Sequence, residues 1–366
     1  MKKILLSILF TISVLTGFSE GVTESPEHKE TVNKEEGFNA GQFIIDHIVD
    51  SHEWHIATFG HTHITVPLPV ILIDEGKLVA FSSSNFKHGH ASYKGYKVET
   101  EGNNKGKIVK VIPGTMETDN SAGKPIDLSI TKTVVGIFVS FLFMLIVFFS
   151  VSFSYKRNAG RAPKGLQSLI EPLILFIRDD IAKPSIGKRY VSFMPFLLTV
   201  FFFIFFANLI GLIPLFPAGA NVTGNIGVTL VLALFTFLVV TFNGNKNYWL
   251  HIFNAPGIPW WLKFPLPLIP VIEFTGMLIK PFVLMVRLFA NITAGHIIIM
   301  GFMALIFIFG QINAGIAYGV SFVSVLFSLF ISVLELLVAF IQAYVFTMLS
   351  ALYIGMATEE SHVDVH

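Results

Sequence analysis

The chain contains no cysteine, which excludes disulfides and thiolate metal sites. Charge is scarce as well: 13% of its 366 residues are Asp, Glu, Lys or Arg, against 53% that are hydrophobic, and the formal net charge is +1. No basic run interleaved with aromatics is present, so nothing in the composition suggests nucleic acid. A nucleotide-binding loop is also missing. The one metal-like acid pair, in the stretch Arg178-Asp179-Asp180, stands alone and reads as a solvated face. What the sequence has in abundance is apolar residues, in blocks too long for the core helices of a soluble domain. It is therefore read as an all-α polytopic membrane protein.

The first residues, "MKKILLSILFTISVLTGFSE", combine two lysines, a short apolar stretch and a small-x-small end at Gly17-Phe18-Ser19. This pattern predicts a signal peptide over residues 1–19, with an uncleaved anchor as the alternative, although the stretch is shorter than the ~20 residues of a spanning helix. Residues 20–127 follow as a polar, His-rich external domain with His28, His47, His52, His55, His61, His63, His88 and His90. Alternation in "HITVPLPVILID" and "KLVAFSSS" predicts two or three short strands, with clusters such as "EGNNKGK" as turns. The N-terminal domain is thus expected to be small and β-rich. His61 and His63 share one face of a strand, a ligand-like spacing, but no further group completes a set. No metal site is expected, and the histidines read as a solvated, pH-sensitive surface.

Residues 128–366 make up the membrane domain. Thr133 to Ser154 forms the first crossing and ends at Lys156, Arg157, Arg161 and Lys164, a cluster that marks the cytoplasmic side. Apolar residues from Leu166 to Ile181 recur at helical spacing among Gln167, Glu171, Arg178 and Asp179, which predicts an interfacial amphipathic helix. Tyr190 to Ile213 spans outward to the uncharged turn "PLFPAGANVTGN", and Ile226 to Phe242 returns to a loop holding Lys246 and Lys263. Trp249, Trp260 and Trp261 suit an interfacial belt there. Pro270 to Phe309 and Ala314 to Met356 are each long enough for a helix of ~60 Å, twice the hydrocarbon thickness. Either each breaks in two, or both lie steeply tilted as a hairpin joined at "GQINAG"; the tilted hairpin is favoured because Pro281 is the only proline inside either stretch. Five membrane-crossing helices then carry the chain from an external N-terminal domain to a cytoplasmic C-terminus.

Polar groups inside these last stretches fall into stripes. Glu273, Lys280 and Arg287 are seven residues apart and drift only ~20° per step, so they share one face, continued by Asn291 and Ala294. An arginine at mid-membrane costs about 2.5–3.5 kcal/mol on insertion scales, which is tolerated mainly beside a partner or a wet cavity. An ion pair with Glu273 or Glu335 would be the structural explanation. Because arginine stays protonated at any working pH, its task is electrostatic rather than proton carriage. His296 lies nine residues beyond Arg287, about 180° around the helix and ~13 Å farther out. The last helix carries Glu335 and Gln342, again seven apart on one stripe. Two such stripes suggest helices packed around aqueous or proton-conducting paths, rather than isolated hydrogen bonds between helices.

The runs "IKPFVLMVRLFANITAGHIII" (Ile279–Ile299) and "LELLVAFIQAYVFTMLSALYI" (Leu334–Ile354) together resemble the paired C-terminal helices of subunit a of F-type ATP synthases. "FANLIGLIP" (Phe206–Pro214) and "GNIGVTLVLALFTF" (Gly224–Phe237) resemble its preceding hairpin, so the likeness covers most of Thr133 to Met356. The resemblance implies a non-catalytic, proton-conducting stator with two offset half-channels, in which Arg287 faces a ring of c subunits. It implies that His296 and Glu335 line the external half-channel, that Asn291 and Gln342 lie near the arginine, and that Glu273 lies toward the cytoplasmic path. Many bacterial members carry an acid where this chain has His296 and a histidine where it has Glu335, so the pair is swapped here, as in mitochondrial members. Asn208 and Asn225 match polar positions of the family's hairpin, with helix–helix hydrogen bonding as the alternative role. Lys280 also matches, and its role stays open between lipid headgroups and field tuning.

The implied partners are the c-subunit ring, the b-subunit peripheral stalk, other ATP synthase subunits, the lipid bilayer and the translocated proton, with no cofactor. The implied location is a bacterial inner membrane, with the N-terminal domain periplasmic. A free-standing ion channel or secondary transporter is the alternative, but the two similar halves with interrupted helices expected of the latter are not seen. The resemblance says nothing about the His-rich domain, for which gathering protons at the inlet is one expectation.

Overall fold

Polar, turn-rich sequence gives way at Lys132 to apolar sequence, and the backbone changes from short antiparallel strands to long helices at the same place. The computed structural model describes residues 38–59, 62–100, 104–112, 114–119, 121–157, 160–213, 219–254 and 268–359. The expected signal peptide, His28, His61, Trp260, Trp261, Lys263 and the tail beyond Glu359 lie outside the described residues, as do the side chains of His47, His55 and His63.

Among the described residues the N-terminal region is a short helix, α1 (Ala40–Ile48), and seven strands: β1 (Glu53–Phe59), β2 (Thr62–Pro67), β3 (Pro69–Asp74), β4 (Lys77–Ser82), β5 (Tyr96–Val98), β6 (Ile108–Lys110) and β7 (Ile126–Asp127). The strands form an antiparallel β1–β2 pair, a three-stranded sheet in the order β4-β3-β7, and a β5–β6 pair. Two or three strands were expected. The alternation in "HITVPLPVILID" divides at Leu68 into β2 and β3, whereas β1 and the short β5–β7 carry too little pattern to be read alone. The β3–β4 hairpin turns on Glu75 and Gly76, whose φ of 49° and 78° are what a two-residue turn between twisted strands requires. Val70, Leu72, Phe86, Tyr96 and Ile108 fill the core. At its edge the Tyr96 hydroxyl donates to Asp74 at 2.7 Å, and Lys110 lies 2.8 Å from the same carboxylate. Lys110, then Tyr96, hold the Asp74 carboxyl below the usual carboxylate range. Burial and that hydrogen bond push the Tyr96 phenol up to about 12.

The membrane region consists of α2 (Lys132–Arg157), α3 (Leu166–Phe176), a π-helical segment (Ile177–Ala182), α4 (Lys183–Ile186), α5 (Tyr190–Gly211), α6 (Ile226–Asn243), α7 (Lys246–Asn254), α8 (Leu268–Ile312) and α9 (Ala314–Thr358). Among the described residues, five helical stretches are long and apolar enough to cross a membrane, so the chain is an integral membrane protein. The amphipathic stretch expected over Leu166–Ile181 is continued by α4, and the helical path bends at Gly187 (φ 70°) before α5. It buries Gln167, Ile170, Ile177 and Ile181 and leaves Arg178 and Lys183 on Asp179, at 2.8 and 2.5 Å, on its open side. The loop expected at Lys246 holds the short helix α7.

Apolar all round, α5 is also the most enclosed helix, with Leu197, Phe201, Phe202 and Ile204 fully buried. α8 and α9 run to 45 residues each, unbroken at Pro281, and pack along one another as a hairpin of ~65 Å arms. The Asn313 side chain caps α9 by accepting the Gly315 amide at 2.7 Å.

The β region is joined to one end of this bundle, here termed the domain end. Phe43 of α1 meets Phe307 of α8 with ring centres 5.9 Å apart. Trp54 of β1 is buried against Ala207, Ala220 and Val222. The Asp50 carboxylate accepts the Thr133 amide at 2.9 Å and the Thr131 hydroxyl at 2.7 Å, so a residue distant in sequence caps α2.

Candidate functional site

The two long helices present unequal faces. Met277, Leu284, Leu288 and Ile292 of α8 are buried against the bundle, while Arg287, Asn291 and Ala294 are exposed beside Phe282, Val286 and Ile298. Among the described residues no carboxylate lies within ion-pair distance of Arg287, so the bridge to Glu273 or Glu335 that would make it structural does not form. A guanidinium fixed on an open apolar face presents charge to whatever covers that face.

α9 shows the reverse arrangement. Its buried stripe holds Ser324, Ser328, Glu335, Gln342, Thr347 and Ser350, and the opposite side exposes Leu329, Phe330, Val333, Leu337 and Met348. Glu335 and His296 come together between the helices, with Nδ1 3.8 Å from Oε1. That separation exceeds a direct hydrogen bond but suits an ion pair or a contact through one water. Glu335 is 3% exposed, and among the described residues neither of its oxygens has a hydrogen-bond partner. Leaving a buried polar group unsatisfied costs about 1–3 kcal/mol, more for a charged one. Gly295 permits the approach: a Cβ there would stand 2.7 Å from Glu335 Oε1.

Asn208, buried in α5, donates to the Ala339 carbonyl at 3.4 Å and accepts the Thr223 hydroxyl. Thr293 donates to the Gly224 carbonyl at 3.4 Å. These bonds tie α5 and the 219–225 loop to both long helices. Asn225 is the N-cap of α6 and accepts the Gly227 amide at 2.9 Å. Gln342 is buried two turns from Glu335 on the same stripe.

Toward the other end of the bundle, Glu273 and Lys280 line a cavity of about 540 Å³ together with Asn247, Tyr248 and His251 of α7, Met356 of α9 and Glu359 just beyond it. The Lys280 ammonium sits 5.3 Å from the centre of the Tyr353 ring, within cation–π range. Asn245 ties the start of α7 to the end of α9, donating its backbone amide to Ala357 O at 2.9 Å and its side-chain amide to Glu359 O at 2.6 Å. Among the described residues no cluster of three His, Asp or Glu side chains could hold a metal ion.

Gly295, Thr223 and the His251–Glu359 side of the cavity were not found by reading the sequence. Only Gly295 left a signal, as a glycine inside a long helix beside an ionisable residue.

A family model described as ATP synthase A chain matches residues 137–355, and one described as a domain of unknown function matches residues 43–128. ATP synthase subunit a of Chloroherpeton thalassium is 47% identical over 245 residues, 65% of this chain and 69% of that protein. ATP synthase subunit a 2 of Chlorobaculum tepidum is 47% identical over 246 residues, 66% of each. ATP synthase subunit a 2 of Chlorobium luteolum is 37% identical over 339 residues, 91% of this chain and 80% of that one, so its likeness extends into the N-terminal region.

Proposed function

The chain belongs to the ATP synthase A chain family and, as a component of that complex, we propose that it is the proton-conducting stator, offering two offset half-channels to a ring of c subunits. One observation carries this reading: Arg287 stands on an open apolar face with no carboxylate among the described residues within ion-pair distance, the enclosed His296–Glu335 pair lying toward one end of α8 and the cavity at Glu273 and Lys280 toward the other. Along the helix these groups lie ~13 Å and ~10–20 Å from the arginine.

In this reading the domain end is periplasmic, supported by the cluster Lys156, Arg157, Arg161 and Lys164 after the far end of α2. A proton enters there and is handed between His296 and Glu335, whose separation suits transfer through one water. It passes to a carboxylate of the partner ring on the exposed face of α8 and α9. After a turn of the ring, the carboxylate approaches Arg287 from the other side. The fixed cation favours its ionised form, so the proton leaves into the cavity at Glu273 and Lys280. Arginine suits this task because it does not deprotonate and so cannot relay a proton between the two paths. Asn291 and Gln342 set the surroundings of the exchange, and Asn208 and Asn225 hold the hairpin that supports it. The chain performs no nucleotide chemistry in this scheme. The peripheral stalk, with its b subunit, would hold it against the torque of the ring.

The test is ATP-driven proton pumping in vesicles carrying the whole complex, comparing Arg287→Ala with the native chain at matched assembly. Pumping is expected to vanish and passive proton leak to rise. Full pumping without Arg287 would overturn the reading.

A further inference from the structure

The N-terminal domain has no part in the scheme above, yet it contributes a charge beside the inlet. Asp50 is held by the Thr131 hydroxyl at 2.7 Å and the Thr133 amide at 2.9 Å, the residues on either side of Lys132. The Lys132 amide donates to Ser51 O at 2.9 Å. Lys132 lies within electrostatic reach of both Asp50 and His296, and His296 in turn meets Glu335 at 3.8 Å. A series of ionisable groups, Asp50, Lys132, His296 and Glu335, therefore runs from the N-terminal domain into the bundle. Three contacts keep the domain in register with the inlet: Phe43 on Phe307, buried Trp54, and the Asp50 cap. The adjacent His52 Nε2 lies 2.8 Å from the Asp127 carboxylate.

We propose that Asp50 and Lys132 form the charged mouth of the domain-end path, so that the N-terminal domain sets the local proton concentration offered to His296 and Glu335. The two are positioning residues, acting on entry through their charges. This inference rests on the proton-conducting reading given above. A lone cation at a low-dielectric mouth repels protons and a lone anion attracts them, whereas the pair leaves the mouth near neutral. Among the described residues, the titratable groups that act on Lys132 include Asp50 from the segment after α1, His296 from α8 and, beyond it, Glu335 from α9.

Asp50→Asn separates charge from structure, because asparagine caps a helix as well as aspartate does. The whole complex in proteoliposomes is driven by an acid jump at clamped membrane potential, and ATP synthesis is recorded against the pH on the domain side. Asp50→Asn is expected to move the midpoint about half a pH unit toward acid, and Lys132→Gln to move it by a similar amount toward alkali. The double variant should return to the native midpoint, and Asp50→Glu and Lys132→Arg should stay near it. Unmoved midpoints, or shifts of one sign for both neutral variants, would overturn the proposal, as would equal shifts in the charge-preserving variants. If Lys132→Gln does not assemble, the direction of the Asp50→Asn shift decides alone. Arg287→Ala, run alongside, separates the two failures: synthesis lost there with unmoved midpoints rejects the mouth alone, and synthesis retained rejects the conducting reading itself.

Discussion

The two polar ends of the α8–α9 hairpin are built differently. At the domain end one imidazole and one carboxylate meet in an enclosed gap made by a glycine, and among the described residues the carboxylate has no hydrogen-bond partner. At the other end Glu273 and Lys280 border about 540 Å³ of open volume shared with His251, Asn247 and Glu359. A narrow gap makes each group indispensable, because water cannot take the place of a missing one; a wide cavity supplies water and alternative proton acceptors. In a conducting path the first limits the rate and the second acts as a vestibule.

The largest expected effect follows from this contrast. Glu335→Gln should lower proton-driven ATP synthesis more than tenfold, whereas Glu273→Gln should lower it only a few-fold, since positioned proton transfer contributes about 10²–10⁴ in rate and the cavity offers substitutes. Equal losses, measured in vesicles at matched assembly, would erase the distinction.

A smaller effect sharpens it sterically. Gly295→Ala places a methyl 2.7 Å from Glu335 Oε1, whereas nothing lies within 4 Å of the Cβ that Gly276→Ala would add at the cavity. The first should reduce pumping several-fold and the second less than twofold. Similar pumping in both would show that the gap at Glu335 is not tight.

Smaller again is the loss of support. Asn208→Ala leaves the Ala339 carbonyl and Thr223 hydroxyl without their partner, at a cost of about 1–3 kcal/mol. Thermal unfolding of the solubilised complex should shift down while the pH profile of pumping stays in place.

Outside both paths, the β domain is governed by groups that pair with one another. Lys110, then Tyr96, lower the Asp74 pKa, and the Thr118 hydroxyl, ahead of Lys97, lowers that of Glu99. Each carboxylate therefore contributes stability above its unfolded pKa, lost as pH falls below about 4. Tyr96 has the opposite sign: its contribution is present below pH 10 and is lost as pH rises toward its folded value of about 12. Hydrogen-exchange protection factors at β3 and β4, which remove the intrinsic pH dependence of exchange, should fall modestly at both extremes and stay flat between; a fall near neutral pH would contradict the pairing.

Much of this was legible in sequence. Apolar length alone marked five crossings and a hairpin of two unbroken helices, because lipid requires long helical stretches whose backbone bonds are satisfied internally. The seven-residue spacings placed Arg287 and Glu335 on stripes of their helices. The strands fared worse: β5, β6 and β7 have three residues or fewer, too few for alternation to register. Asn225 was legible as polar but not as a cap, since a cap is defined by backbone conformation.

The sequence by itself determined the solvent the chain lives in, the number and length of its membrane helices and the helix face on which each polar group sits, all of which depend on local periodicity and composition. Tertiary structure alone decided which stripes meet. It brought His296 to Glu335 across 39 residues of chain, aligned α7 and the end of α9 into one cavity with Glu273, and set Asp50 on the first turn of α2. Such meetings depend on the packing of helices against one another, and in particular on the close approach that Gly295 allows, which no single segment encodes.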